Sequence, residues 1–490
     1  LFDLVFTTDM DCIHRYKAVL GHERVYLLPF ACQPKVNNPI EKYERRDAFC
    51  FAGAYYVRYP ERTRDLGNFV SHLPQYRPLE IYDRNLGKDH PDYKFPDEYQ
   101  SFIVGNLPFE QIDKAYKGYR YAINLNSIKQ SQTMFARRVY ELLASNTITI
   151  SNYSRGVRLL FGDLVITSDD GAEIIRRLEQ LDSDEYRLRK FRLAGLRKVM
   201  SEHTYQDRLS YVLSKVNEAR APRRLPEVLV TGYANTQAEA DALLSHFNRQ
   251  TYDRKRLLLA VPRSLRRRIP AGPNVTIVNA SDKRGLGEIA AGSEWIAGMV
   301  AGDFYGTNYL TDLVLATRYS DALAIGKGAC FSWKRESAEL QAPDAALEYK
   351  FVPQLRYRSA IVHMTRIADL SFNAFTSDLA DGEIEEVGAL SIDAFNYCRD
   401  GNIEGAEREA IENTVSDLAD LDVGLPLADL VTRVEGIEAE VQSEDEAPVL
   451  SGAELAGFFK SPANKPYRLS VEGAGWVVSS SLPDGKHDYL

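Results

Sequence analysis

The chain has 490 residues, 44% of them hydrophobic and 26% charged, with a formal net charge of −9. This composition excludes a disordered, collagen-like or coiled-coil chain for the bulk of the sequence, and the length predicts about two to four domains. No apolar run approaches the roughly 20 residues that a membrane helix needs, so no integral membrane segment is expected.

Cys12, Cys32, Cys50, Cys330 and Cys398 lie far apart without a CxxC pair, and the eight histidines form no HExxH. Neither a zinc centre nor a disulfide framework is expected, and a reducing compartment fits. GxSxG and P-loop patterns are absent too, which leaves hydrolase and P-loop NTPase readings without support. The charge is uneven. Residues 401–450 hold 14 Asp/Glu against 2 Lys/Arg, and residues 451–490 hold four of each sign, so residues 1–400 carry +3.

In chain order, LFDLVF (1–6) and RVYLLPFA (24–31) read as short strands around a helix, CIHRYKAVLG, that stops at Gly21. From Asp47 the pattern becomes regular. DAFCFAG, PLEIYD, RYAINLN and TITIS read as strands. They alternate with helices at PERTRDLGNFVSHL, FEQIDKAYKGY and QTMFARRVYELLAS. Such alternation predicts βαβ units and a parallel, doubly wound sheet. Residues 171–218 read as helices, and APRRLP (221–226) as a linker.

A second α/β pattern follows, with strands at EVLVTGY, RLLLAV, NVTIVNA, EWIAGMV and ALAIGKG and a helix at TQAEADALLSHFNRQ. The acidic stretch 401–450 reads as a partly helical, solvated connector. YRLSVEG and GWVVSSSL read as a hairpin in a small β-rich tail, 451–490.

Two places in the first α/β pattern invite a chemical reading. In FAGAYYVRYPERTR (51–64) a strand ends at Gly53 and a helix begins near Pro60, with Arg58, Arg62 and Arg64 at that edge. A diphosphate would fit there, although a tight turn with solvated arginines fits as well. In INLNSIKQSQTMFARRVYELLAS (123–145) a strand ends at Asn124 and Asn126, and a helix is expected to open near Ser131–Met134. Loops at the carboxyl end of parallel strands are where open α/β sheets bind ligands. The Glu141 carboxylate would reach the two hydroxyls of a ribose or, alternatively, pair with Arg137 or Arg138.

The run FAGAYYVRYPER, IYDRNL, LPFEQIDKAYKGYRYAINLNS, SQTMFARRVYELLASNT and ISNYSRG resembles the CgeB-like glycosyltransferases, relatives of the group 1 enzymes of the GT-B fold. The resemblance covers roughly residues 1–170. It implies that 46–218 is a Rossmann-like nucleotide-sugar-binding domain, and 1–45 the tail of the domain that precedes it.

Glu141 matches the second glutamate of the family's E-x7-E motif, which holds the donor ribose. The first glutamate falls on Thr133, a departure. Ser131, Thr133 and Met134 match the loop that meets the phosphates, with Asn126 ahead of it. Gly53 and Arg58 match the glycine loop facing the diphosphate, and Gly105 and Leu107 the place of the nucleobase. No cofactor is implied for this half.

Residues 225–400 resemble GT-A (family 2 type) transferases, in TGYANTQAEADALLSHFNRQTYDRKRLLLAV and RGLGEIAAGSEWIAGMVAGDFYGTNYLTDL. The DxD motif of that family holds a divalent metal, Mg²⁺ or Mn²⁺. Here the aligned residues are Val300-Ala301-Gly302-Asp303, and Asp303 alone keeps a carboxylate. Asp378, Asp381 and Glu383 lie where a base is expected, without the family's acidic pair. A GT-A-like domain that has lost its metal site is the reading.

The basic run RKRLLLAVPRSLRRRIP (254–270) has no interleaved aromatics, so a solvated face or an acidic partner is preferred to nucleic acid. The whole implies glycosyl transfer from a nucleotide-sugar donor to a cell-surface or cell-wall glycan, in the cytoplasm or at the inner face of the membrane. A non-catalytic glycan-binding or scaffold protein built from degenerate transferase domains is the alternative.

Overall fold

The computed structural model describes residues 2–88, 91–217, 224–290 and 292–438, and the strands 468–472, 475–481 and 487–488. The chain divides into two compact units: Phe30–Leu427, and the segments Leu1–Pro29 with Ala428–Leu490.

In the split unit, β1 (Val5–Thr7) and β2 (Val25–Leu27) pair in parallel and are connected through the helix Ile13–Leu20. The helix stops at Gly21, in the left-handed region at φ 67°. Lys17 binds the Glu23 carboxylate at 2.7 Å and the Ile437 carbonyl at 2.6 Å, which joins the two segments. The boundary expected at residue 45 therefore moves to 29. Residues 30–45 belong to the larger unit, where Cys32 exchanges backbone hydrogen bonds with His203 and Tyr205. Lys117 also donates to Asn38 at 2.7 Å.

The first half of the larger unit holds β3 (Arg46–Gly53), β4 (Leu79–Asp83), β5 (Ile103–Gly105), β6 (Tyr119–Asn124), β7 (Ile148–Ser151) and β8 (Ile166–Thr167). All pair in parallel in the order β5-β4-β3-β6-β7-β8, a Rossmann-like arrangement. Along β3, Phe49 and Phe51 enter one core with Leu66 and Phe69 of the helix Pro60–His72. Ala48, Cys50 and Ala52 face the other core with Tyr116 and Leu142. Burial on both faces explains why the strand reads as a continuous apolar run. Chain order reverses between β3 and β6, and the carboxyl ends of strands at such a switch point are where open α/β sheets bind ligands.

The second half holds β9 (Val228–Tyr233), β10 (Lys255–Val261), β11 (Val275–Asn279), β12 (Trp295–Met299), β13 (Phe304–Tyr305), β14 (Ala324–Gly326), β15 (Phe331–Lys334), β16 (Glu339–Gln341), β17 (Lys350–Arg356), β18 (Ala360–His363), β19 (Glu383–Ser391) and β20 (Tyr397–Arg399). Eight of them form a mixed sheet, β11-β10-β9-β12-β18-β14-β19-β17, with β18 antiparallel to both its neighbours. The others form a small side sheet, β13-β20-β15-β16. In the C-terminal segment β21 (Arg468–Glu472), β22 (Gly475–Ser481) and β23 (His487–Asp488) run antiparallel in sequence.

Buried charges join the two halves. Arg197, on the helix Glu185–Glu202, forks onto Asp312 at 2.8 and 3.1 Å and reaches Asp417 at 2.9 Å. Lys327 lies 2.8 Å from Asp393 and 3.7 Å from Asp312. Burial pushes the Asp312 and Asp393 carboxyls up, against Arg197 and Lys327. Arg189 pairs with Glu348 at 2.6 Å.

Asp417 corrects the reading of 401–450 as a solvated connector. The helix Ala406–Val415 buries Ile411 and Val415, Asn308 and Asn396 donate to Asp417, and Leu418 and Leu421 pack on the first core. The acidic residues of its exposed face gave the segment its solvated appearance, while a few apolar side chains and one carboxylate fasten it. Residues 439–450 lie outside the described residues, as do residues 221–223 of the linker expected at 221–226.

Candidate active site

Three loops gather the candidate residues at the carboxyl ends of the first sheet's strands. At the end of β3, Gly53 is overlaid by the ring of Phe51, and Arg62 and Arg138 stand over that ring at 6.0 and 5.8 Å. Arg62 is 4% exposed and donates to the Ala54 carbonyl at 3.1 Å. Burial, with the charges of Arg138 and Arg84 adding to it, lowers its pKa to about 10. The nearest acid, Asp65, is engaged by Lys129 and Asn152, each at 2.7 Å. The Nε of Arg138 is buried without a hydrogen-bond partner among the described residues. Two adjacent guanidiniums without a dedicated carboxylate have the chemistry to receive an anion. Arg58, the arginine expected there, is exposed and lies over the Tyr59 ring. The helical spacing of Arg62 was the available signal, whereas Arg138 had been read only as a partner for Glu141.

The loop after β6 departs from expectation. The helix opens at Arg138, not near Ser131–Met134, and has seven residues. The N–H groups of Thr133 and Met134, expected to meet phosphate, donate to Ser131 Oγ at 3.3 and 2.9 Å. Thr133 is buried. Asn126 is a brace: its Oδ1 accepts from the Ala136 N–H at 2.9 Å, and its own N–H donates to Asn152 at 2.8 Å. The N–H groups of Thr133 and Met134 are thus satisfied within the 131–134 loop itself.

Glu141 is 13% exposed at its side chain, with one oxygen 2.8 Å from Arg137 Nε and the other accepting from Tyr116 at 3.0 Å. The ion pair considered for it forms, and acceptor positions remain on both oxygens. Tyr116 shares a core with Leu142, against which Leu107 packs. Gly105 has φ 137°, a conformation open to glycine, where β5 turns into the 105–109 loop. Phe109, two residues beyond Leu107, is 80% exposed. The structure therefore places Gly53, Arg62 and Arg138 around the Phe51 ring and links Glu141, through Tyr116, to the core on which Leu107 packs, while Arg58 lies exposed over Tyr59.

The second half has a closed counterpart. Asp303 is 0% exposed and receives Arg358 Nε and Tyr397 Oη at 2.8 Å on Oδ2. Its Oδ1 receives Arg358 Nη2 and the Asp400 N–H, the latter at 2.8 Å. Tyr305 lies 3.3 Å away but has a shorter bond, 2.8 Å, to the Arg358 carbonyl. Four donors fill the acceptor positions of the carboxylate. These residues do not fit a divalent metal, since Arg358 stands where the cation would.

Residues 48–214 match a family model described as glycosyl transferase-like. No curated protein matches the chain. Among solved structures, the chain is similar to a point mutant of S. aureus TarM in complex with fondaparinux, alpha-GlcNAc-glycerol and UDP. The identity is 12% and the TM-score 0.31, over 44% of this chain and 43% of that one. This chain thus spans less than half of that protein.

Proposed function

We propose that the first half binds a nucleotide-sugar donor and that the chain takes part in glycosyl transfer to a cell-surface or cell-wall glycan, without a metal in this step. The observation that carries the reading is the Arg62–Arg138 pair over Phe51 beside Gly53, at the point where strand order reverses. Charge develops on the diphosphate as the sugar leaves, and fixed cations lower the barrier by meeting it. Glu141 would hold the ribose hydroxyls and Leu107 one side of the base. The match over residues 48–214 supports this assignment.

For the second half, a GT-A-like fold without catalysis is the reading. It is supported by a parallel β11-β10-β9-β12 block extended by antiparallel β18, and by the saturated Asp303 carboxylate. A glycan-binding or scaffold role fits that half.

Calorimetric titration of UDP, GDP and their sugars, with and without Mn²⁺, tests the donor site. Metal-independent binding that weakens about tenfold or more in Arg138→Gln and in Glu141→Ala is expected. Full-strength nucleotide binding in both variants would overturn the assignment.

A further inference from the structure

Arg263, Arg266, Arg267 and Arg268 place four guanidiniums within six residues of the loop joining β10 to β11. All four are exposed. Several other arginines of this unit are paired with carboxylates, as at Arg189, Arg197, Arg256, Arg318 and Arg358. None of the four loop arginines has an ion pair or hydrogen bond from its side chain among the described residues.

The loop is firmly seated nonetheless. Leu265 and Ile269 are buried beneath it, and the N–H groups of Leu265 and Arg268 bond to Pro262 and Leu265 at 3.0 and 2.9 Å. Like charges held this close repel, and no ion pair compensates them among the described residues. The arrangement therefore suits an external polyanion.

The chemistry of the loop narrows what that polyanion is. Arginine forks match phosphate and carboxylate oxygens alike in pairs, and a close-set row of four suits a dense array of anions. No aromatic residue occurs between Tyr252 and Trp295, and both of these are buried. A nucleic acid strand or a sugar chain would find nothing to stack on. No large apolar side chain in that segment is exposed among the described residues either, so the contact is electrostatic and lies on a surface rather than entering it. We propose that this loop docks the protein on a bilayer surface rich in anionic phospholipid. The inference stands apart from donor binding in the first half and does not rest on it.

The test is flotation of the full chain with vesicles of phosphatidylcholine alone, or of phosphatidylcholine containing phosphatidylglycerol. Near an anionic surface each arginine contributes about fivefold to partitioning. Allowing for screening, the wild type is expected to partition onto the anionic vesicles at least about thirtyfold better than R263Q/R266Q/R267Q/R268Q. The advantage should vanish at high salt, and neutral vesicles should bind neither protein. The quadruple variant keeps its buried anchors Leu265 and Ile269, and unchanged circular dichroism and thermal melting report its integrity. Failure of the wild type to float, equal flotation of the variant, or capture by RNA in place of vesicles would each overturn the proposal.

Discussion

Replacing Arg358 by Met keeps a long side chain and removes the cation. Asp303, fully buried, then retains the Tyr397 hydroxyl and the Asp400 N–H as donors but no counter-charge. Breaking one side of a buried ion pair costs about 3–5 kcal/mol. The two remaining donors place the expected loss near the lower end, about 3 kcal/mol. Adding Asp303→Asn removes the stranded charge, so the double variant should recover about 2 kcal/mol relative to the sum of the singles. Urea unfolding followed by tryptophan fluorescence measures this, because Trp295 and Trp333 lie on β12 and β15 of the second half. Additive effects would refute the pairing as the reason for Asp303. A rise in the unfolding midpoint with millimolar Mn²⁺ in the wild type, absent from Asp303→Asn, would refute the closed carboxylate.

Three further outcomes follow from particular contacts. An added Cβ at Gly53 would come 2.7 Å from the Phe51 ring, so Gly53→Ala should cost about 1–3 kcal/mol and weaken nucleotide binding by displacing the platform under Arg62 and Arg138. Thermal melts and UDP titration check both effects. His246 is pushed by burial to a pKa of about 4, with the Ala301 carbonyl opposing. The unfolded chain takes up that proton first, so stability should fall by about 2 kcal/mol between pH 7 and pH 5, and His246→Gln should flatten the profile. Burial alone would raise the Asp417 carboxyl, but Arg197 and the amides of Asn308 and Asn396 hold it below its ordinary value. Its contribution should be present at neutral pH and lost as pH falls below about 4, and Asp417→Asn should abolish that part of the acid dependence in melts.

The central strands of both sheets were legible because burial on two faces writes them as apolar runs ending in glycine or asparagine, whereas the short β5 and β8 and the partly exposed β17, with β18 and β19, were not read as strands. DAFCFAG became β3, and EVLVTGY became β9, with ends that moved by a residue. Helix ends were less legible. QTMFARRVYELLAS has the composition of a continuous helix, yet Ser131 satisfies the N–H groups that a first turn would have exposed, and the helix waits until Arg138. Residue types at the proposed donor site could be named, but not which arginine points inward: Arg58 and Arg62 lie on one short stretch, and packing against Phe51 and Tyr56 with a bond to the Ala54 carbonyl selects Arg62. Asp303 was visible as a lone carboxylate. Its partner Arg358 lies 55 residues further on, in a turn without a motif. Asp417 was hidden among acidic neighbours, since a sequence does not tell a buried carboxylate from a solvated one.

The ion network between the halves has a consequence for biosynthesis. When the ribosome has released every strand of the first sheet, Arg197 is complete, but Asp312 and Asp417 have still to be made. The nascent first half must hold a buried-side guanidinium in water until the second half arrives. Final closure of both then depends on the segment around Asp417, near the end of the unit. A chain stopped before that segment would present the cell with two nearly finished sheets and an open, charged seam, a form suited to capture by chaperones.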